Sequence, residues 1–83
     1  MRVLYFAWLR QRAGVGEETI SLPDDVRDVA GLVELLKARG PGYAEALKDL
    51  ESIRVAVNQE FASLDTAISD SDEVALFPPM TGG

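Results

Sequence analysis

The chain has 83 residues, 47% of them hydrophobic, a formal net charge of -6, and neither cysteine nor histidine. That length suits one domain with a small but sufficient core and leaves no room for a second. The two missing residue types exclude disulfides, zinc sites built on thiolate or imidazole, a thiol nucleophile and an imidazole base, so any reactive sulfur must come from outside. Charge is unevenly placed: residues 1–54 hold nine acids against eight bases, whereas residues 55–83 hold Glu60, Asp65, Asp70, Asp72 and Glu73 with no base. Nucleic-acid binding is disfavoured, and the acidic carboxyl-terminal third reads either as a solvated loop or as a face that steers toward a basic partner. The apolar run at the amino terminus ends by Leu9, too short for a signal sequence or a membrane span, and a cytoplasmic protein with no membrane partner is expected.

In chain order, residues 2–9 are rich in aromatic and branched side chains on both alternating faces, Val3, Tyr5, Ala7 and Leu9 on one and Leu4, Phe6 and Trp8 on the other. This predicts a central strand whose second face is covered by loops or left for a partner. Arg10 to Gly16 is a polar connection expected to hold a turn of helix. Residues 17–22 read as a second strand, antiparallel to the first and closed by Pro23-Asp24-Asp25. Asp25 or Asp28 is placed to cap a helix over 29–39, where Val29, Leu32, Val33, Leu35 and Leu36 form one apolar stripe ended by Gly40-Pro41-Gly42. A shorter helix is expected over 43–50. Ile53, Val55 and Val57 alternate as in a half-buried strand, Asn58-Gln59-Glu60 turns the chain, Phe61-Ala62 adds an edge strand, and Asp72 to Phe77 forms the last strand.

These elements predict an α+β fold, a mixed four- or five-stranded sheet with one main helix packed on it and a second short helix. A hairpin, a crossover helix and a last strand beside the first make up the ubiquitin-like β-grasp arrangement. Residues 1–77 are then the folded domain and residues 78–83 an extended carboxyl-terminal tail.

The tail carries the chemistry. Pro78-Pro79 prevents β-pairing from continuing, and Met80, Thr81, Gly82 and Gly83 follow. Six extended residues reach about 20 Å, enough to enter a partner's cleft. Glycines without a Cβ fit a narrow channel and bring the terminal carbon close to a nucleophile. No resident active site is legible: there is no histidine to activate a hydroxyl, and the pairs Asp24/Asp25 and Asp70/Asp72 fall in turns where capping and solvation explain them. A carboxylate becomes an electrophile only when its oxygen is converted to a leaving group, which points to ATP-dependent adenylation by a partner.

The segment Asp72-Glu73-Val74-Ala75-Leu76-Phe77-Pro78-Pro79-Met80-Thr81-Gly82-Gly83 closely resembles the end of the molybdopterin synthase small subunits, the sulfur-carrier family of molybdenum cofactor biosynthesis. Arg54-Val55-Ala56-Val57-Asn58-Gln59-Glu60 and the opening Val3-Leu4-Tyr5-Phe6-Ala7 extend the likeness over the chain. The resemblance implies that Gly83 is adenylated by an E1-like adenylyltransferase using ATP, with no cofactor held permanently. A sulfur donor protein then yields a thiocarboxylate. The tail delivers that sulfur to cyclic pyranopterin monophosphate in the large subunit of molybdopterin synthase, which supplies the catalytic bases and lysines. On this pattern Gly83 is the reactive site, Gly82 gives clearance, and Phe77, Pro78, Pro79, Met80 and Thr81 dock the tail on the partner. One departure is Ser71, where the family commonly has glycine; a turn demanding positive φ would cost on the order of 1 kcal/mol there. The alternatives are a carrier for thiazole or tRNA thiolation, a ubiquitin-like modifier, or a non-catalytic interaction domain using the Leu4/Phe6/Trp8 face.

Overall fold

The computed structural model describes residues 1–79. Five strands form one mixed sheet: β1 (Arg2–Tyr5), β2 (Glu17–Thr19), β3 (Arg54–Val57), β4 (Glu60–Ala62) and β5 (Glu73–Phe77), in spatial order β2-β1-β5-β3-β4. The helices are α1 (Ala7–Ala13), α2 (Val29–Lys37) and α3 (Pro41–Leu47), followed by one 3-10 turn, Leu50–Ser52. β1 runs parallel to β5 and antiparallel to β2, and β3 is antiparallel to both β5 and β4. First and last strands are thus central neighbours, as their apolar character predicts, and the arrangement is the β-grasp.

The core lies between one sheet face and the helices. Val3, Tyr5, Val55, Val74 and Leu76 point inward from the strands and meet Val29, Leu32, Val33 and Leu36 of α2. Those four recur at three- and four-residue steps, so one stripe of α2 is buried. Asp28 caps the helix, its carboxylate accepting from the Gly31 amide at 2.8 Å, and satisfies a donor the first turn would otherwise leave open.

Residues 7–9 depart from the expected strand and open the helical turn that was expected after Arg10. The extended run stops at Tyr5, Phe6 acts as the amino-terminal cap, Ala7 takes φ 54°, and α1 continues to Gly14 at φ 86°, whose amide donates to the Arg10 carbonyl at 3.0 Å. The Leu9 side chain is fully buried by this turn, while Trp8 packs half-buried beneath the Arg12 guanidinium, 4.9 Å from its ring centroid. Period-2 alternation therefore misassigned Trp8 to the face of Leu4 and Phe6. α3 also starts earlier than expected. Pro41 occupies its first turn, where a missing N–H costs nothing, and the helix ends at Leu47.

A polar cluster ties the second strand to the helical layer. Glu18 accepts hydrogen bonds from the hydroxyls of Tyr5 at 2.8 Å and Tyr43 at 2.9 Å and pairs with Arg39 at 2.7 Å. Burial, reinforced by the Glu18 carboxylate, holds the Tyr5 phenol far above its ordinary pKa, so it donates at all physiological pH.

Two residues join β3 to β4, and both have positive φ, Asn58 at 51° and Gln59 at 71°. That is the type I′ hairpin geometry, in which the second position favours glycine. Asn58 also accepts from the Glu73 amide and donates to Asp72, both at 3.0 Å, and so fixes the hairpin to the entrance of β5. Gln59→Gly is expected to stabilise the domain by about 1 kcal/mol by relieving the left-handed strain, read as a higher urea midpoint at unchanged slope. Ser71 is not among the positive-φ residues, so its replacement of a family glycine carries no such cost.

Candidate functional site

The site is built around the carboxyl end of β5. Register places Val74 and Leu76, both fully buried, against the core, and turns Glu73, Ala75 and Phe77 toward the open face of the sheet. β5 is held on both sides, by β1 from Arg2↔Glu73 to Tyr5↔Leu76 and by β3 from Val57↔Val74 to Arg54↔Phe77. The Phe6 amide donates to the Leu76 carbonyl at 3.1 Å, after which the neighbouring chain turns away into α1. Pro78 and Pro79 follow with no amide hydrogens to give. The sheet therefore ends at Phe77 while its central strand leads directly toward the tail. Of the expected site residues, Phe77, Pro78 and Pro79 stand here, half-buried; Met80, Thr81, Gly82 and Gly83 lie outside the described residues.

An apolar surface surrounds this exit. Leu4, Ala75, Ala56 and Phe61 are paired across four strands and share the open face. The Phe61 ring lies 5.9 Å from that of Phe77, inclined at 53°. With Arg54, Val55 and Ala62 the two rings line a hollow of about 420 Å³. On the other flank Leu4, Phe6, Arg10, Val15 and Glu17 line a second shallow hollow. Phe6, Val15, Phe61 and Leu64 are the exposed large apolar side chains among the described residues. Three of the four therefore rim the tail exit, a concentration that marks an interaction surface rather than scattered exposure. Sequence reading anticipated Leu4, Phe6 and Phe77 but missed Phe61, Val15 and Arg54. The hairpin length, which fixes the facing of Phe61, was the available signal for it.

The acids Asp70 and Asp72 serve the turn, as their position in the sequence predicts. Asp72 accepts from the Asn58 side chain at 3.0 Å and the Ser69 amide at 2.8 Å, and these bonds lower its pKa. Asp70 accepts from the Leu22 amide at 2.7 Å and pairs with the Met1 ammonium at 3.2 Å; the Leu22 bond is the larger cause of its lowered pKa. Glu73 and Glu17 both engage Arg2, at 3.1 and 2.7 Å. Much of the carboxyl-terminal acidity is thus engaged in holding loops and strand ends, which weakens the argument that it steers toward a basic partner.

Residues 3–83 match the ThiS family model. The chain belongs to the ThiS family. Among ThiS-family relatives, the molybdopterin synthase sulfur carrier subunits of Haemophilus influenzae and Escherichia coli K12 are each 39% identical to it over 83 residues, covering 100% of this chain and 99% of theirs. SAMP1, the small archaeal modifier protein 1 of Haloferax volcanii, superposes with a TM-score of 0.75 at 30% identity, covering 100% of this chain and 98% of that one. The same fold occurs in a protein–protein complex of subunits 1 and 2 of the Helicobacter pylori molybdopterin-converting factor, with a TM-score of 0.65 at 24% identity over 99% of this chain and 96% of that one. The ThiS-family assignment agrees with the β-grasp expected from the sequence. Among the described residues no helix is long and apolar enough to cross a membrane.

Proposed function

We propose that this ThiS-family chain is the sulfur carrier subunit of molybdopterin synthase and acts in the cytoplasm through the carboxylate of Gly83. The observation that carries the reading is the end-to-end likeness to the bacterial carrier subunits; a central strand leading toward the Gly-Gly tail supports it. In the first step a Gly83 carboxylate oxygen attacks the α-phosphorus of ATP on an E1-like adenylyltransferase and expels pyrophosphate. The outer sulfur of a donor protein's persulfide then attacks the acyl carbon and displaces AMP, and a thiol cleaves the resulting acyl disulfide, releasing the thiocarboxylate and leaving a disulfide on the donor. The loaded tail enters the large subunit, where sulfur passes to cyclic pyranopterin monophosphate, and two deliveries complete the dithiolene. The chain contributes no catalytic base of its own, and ATP is used by the activating enzyme.

Incubation with ATP, the activating enzyme and a sulfur donor should add mass at the terminal glycine. No gain in a reaction that consumes ATP would remove the reading. A second reading is favoured by the likeness to the archaeal modifier, namely attachment of the activated Gly83 to lysines of other proteins. Isopeptide-linked products in place of a thiocarboxylate would select it.

Phe77 anchors the proposed docking surface, since its ring is half-buried against Phe61 at the last paired position of β5. Aromatic anchors of this kind commonly contribute about 2 kcal/mol to binding. Phe77→Ala should weaken affinity for the large subunit on the order of 30-fold by calorimetry, and equal affinity would reject that role.

A further inference from the structure

The chain carries eight basic side chains. Arg2, Lys37, Arg39 and Lys48 pair with carboxylates, whereas no ion pair among the described residues includes Arg10, Arg12, Arg27 or Arg54. Arg12 is spread over Trp8, and Arg27 donates to the Asp24 carbonyl at 3.3 Å. Arg10 and Arg54 are placed differently, because they flank the end of β5. Arg54 is the register partner of Phe77 on the β3 side and lines the hollow shared with Phe61. Arg10 lies one helical turn beyond Phe6, on the β1 side, and lines the other hollow. Both are exposed.

On the same open face Glu73, at the far end of β5, and Glu17, which lines the hollow beside Arg10, are both occupied by Arg2. A chain of net charge -6 therefore presents two arginines beside the apolar exit of its tail. The Arg54 guanidinium donates to the carbonyls of Glu51 at 3.2 Å and Ile53 at 3.0 Å, bonds that orient it and leave its charge without a carboxylate among the described residues. A carboxylate arriving at an interface can accept two parallel N–H bonds from it, which fixes orientation as well as attraction.

We propose that the tail-receiving surface of the large subunit of molybdopterin synthase bears an apolar patch bracketed by two carboxylates, one for Arg10 and one for Arg54. Phe6, Phe61 and Phe77 meet the patch, and the arginines set the angle at which the tail enters. This inference rests on the sulfur-carrier reading and reverses the charge expected from the acidic carboxyl-terminal third.

The test is calorimetric binding of the full chain to the large subunit at about 50 mM and about 500 mM salt, a range over which the screening length falls several-fold. The double variant Arg10→Glu/Arg54→Glu should lose about ten-fold or more in affinity at low salt. The milder Arg10→Gln/Arg54→Gln should fall between it and the unaltered chain, and guards against a folding defect. Affinity of the unaltered chain should decline with salt more steeply than that of the Gln variant. Arg27→Glu, which alters an arginine away from the tail exit, should bind as the unaltered chain does. Equal affinity of the unaltered chain and both double variants, or an equal loss from Arg27→Glu, would overturn the inference. If the unaltered chain binds and transfers sulfur in that case, the carrier reading survives alone; if it does not bind the large subunit, both fall.

Discussion

Deletion of Gly83 is expected to abolish sulfur transfer and leave the melting temperature of the domain unchanged. The buried apolar core among the described residues runs from Met1 to Leu76, and the pairing of β5 ends at Phe77. The last residue follows the last paired position of the described residues by six in sequence, while the proposed chemistry depends wholly on its carboxyl carbon. The deletion leaves Gly82 with a carboxylate one residue too short, displaced by about 3.5 Å from the reacting position. Misplacement of about 1 Å already costs on the order of 100-fold in rate, so activity should fall below detection. Gly82→Trp tests the same geometry from the side, because an indole fills a channel that glycine leaves clear. A Gly83-deleted chain that still sustains cofactor synthesis would sink the carrier account.

The second large effect lies in the scaffold. A Cβ added at Gly42 would stand 2.3 Å from the Arg12 carbonyl oxygen, which belongs to the backbone of α1 and cannot rotate aside. Two effects oppose each other at this position. Alanine is the better helix former by about 1 kcal/mol, whereas forcing two packed helices apart costs about 3 kcal/mol. The clash wins, and Gly42→Ala should destabilise the domain by about 2 kcal/mol, lowering the melting temperature by about 10 °C. An unchanged melting temperature would show that α1 and α3 do not meet in this way.

That contact also marks where the sequence was hardest to read. The sheet was legible because Val3, Val55, Val74 and Leu76 each fall in a short run of β-branched or apolar residues, and α2 because its apolar stripe is long and regular. The run from Val3 to Leu9 carried a misleading signal: alternation is satisfied by Ala7 and Leu9, yet burial of Leu9 comes from a helical turn after a left-handed residue. Local pattern cannot see that α3 supplies the surface on which α1 packs. The Glu18 cluster was hidden for a similar reason, since Tyr5, Glu18, Arg39 and Tyr43 come from four separate segments.

At the site, Pro78-Pro79 stand where the sequence places the end of β-pairing. The rim formed by Phe61, Val15 and Arg54 depends on which strands become neighbours, and that is set by tertiary pairing. Asp70 and Asp72 were legible as turn residues, and hydrogen bonds to Leu22, Ser69 and Asn58 assign them to loop closure; which partners they bond was set by tertiary pairing.

The central claim is that Gly83 carries sulfur, and the intact mass of the protein isolated from cells addresses it most directly. The account predicts a fraction of chains heavier by one oxygen-to-sulfur replacement, with the difference confined to the carboxyl-terminal fragment and lost on transfer to the large subunit. Chains bearing only an unmodified carboxylate, in cells that hold the activating enzyme and the sulfur donor but lack the large subunit, would contradict it.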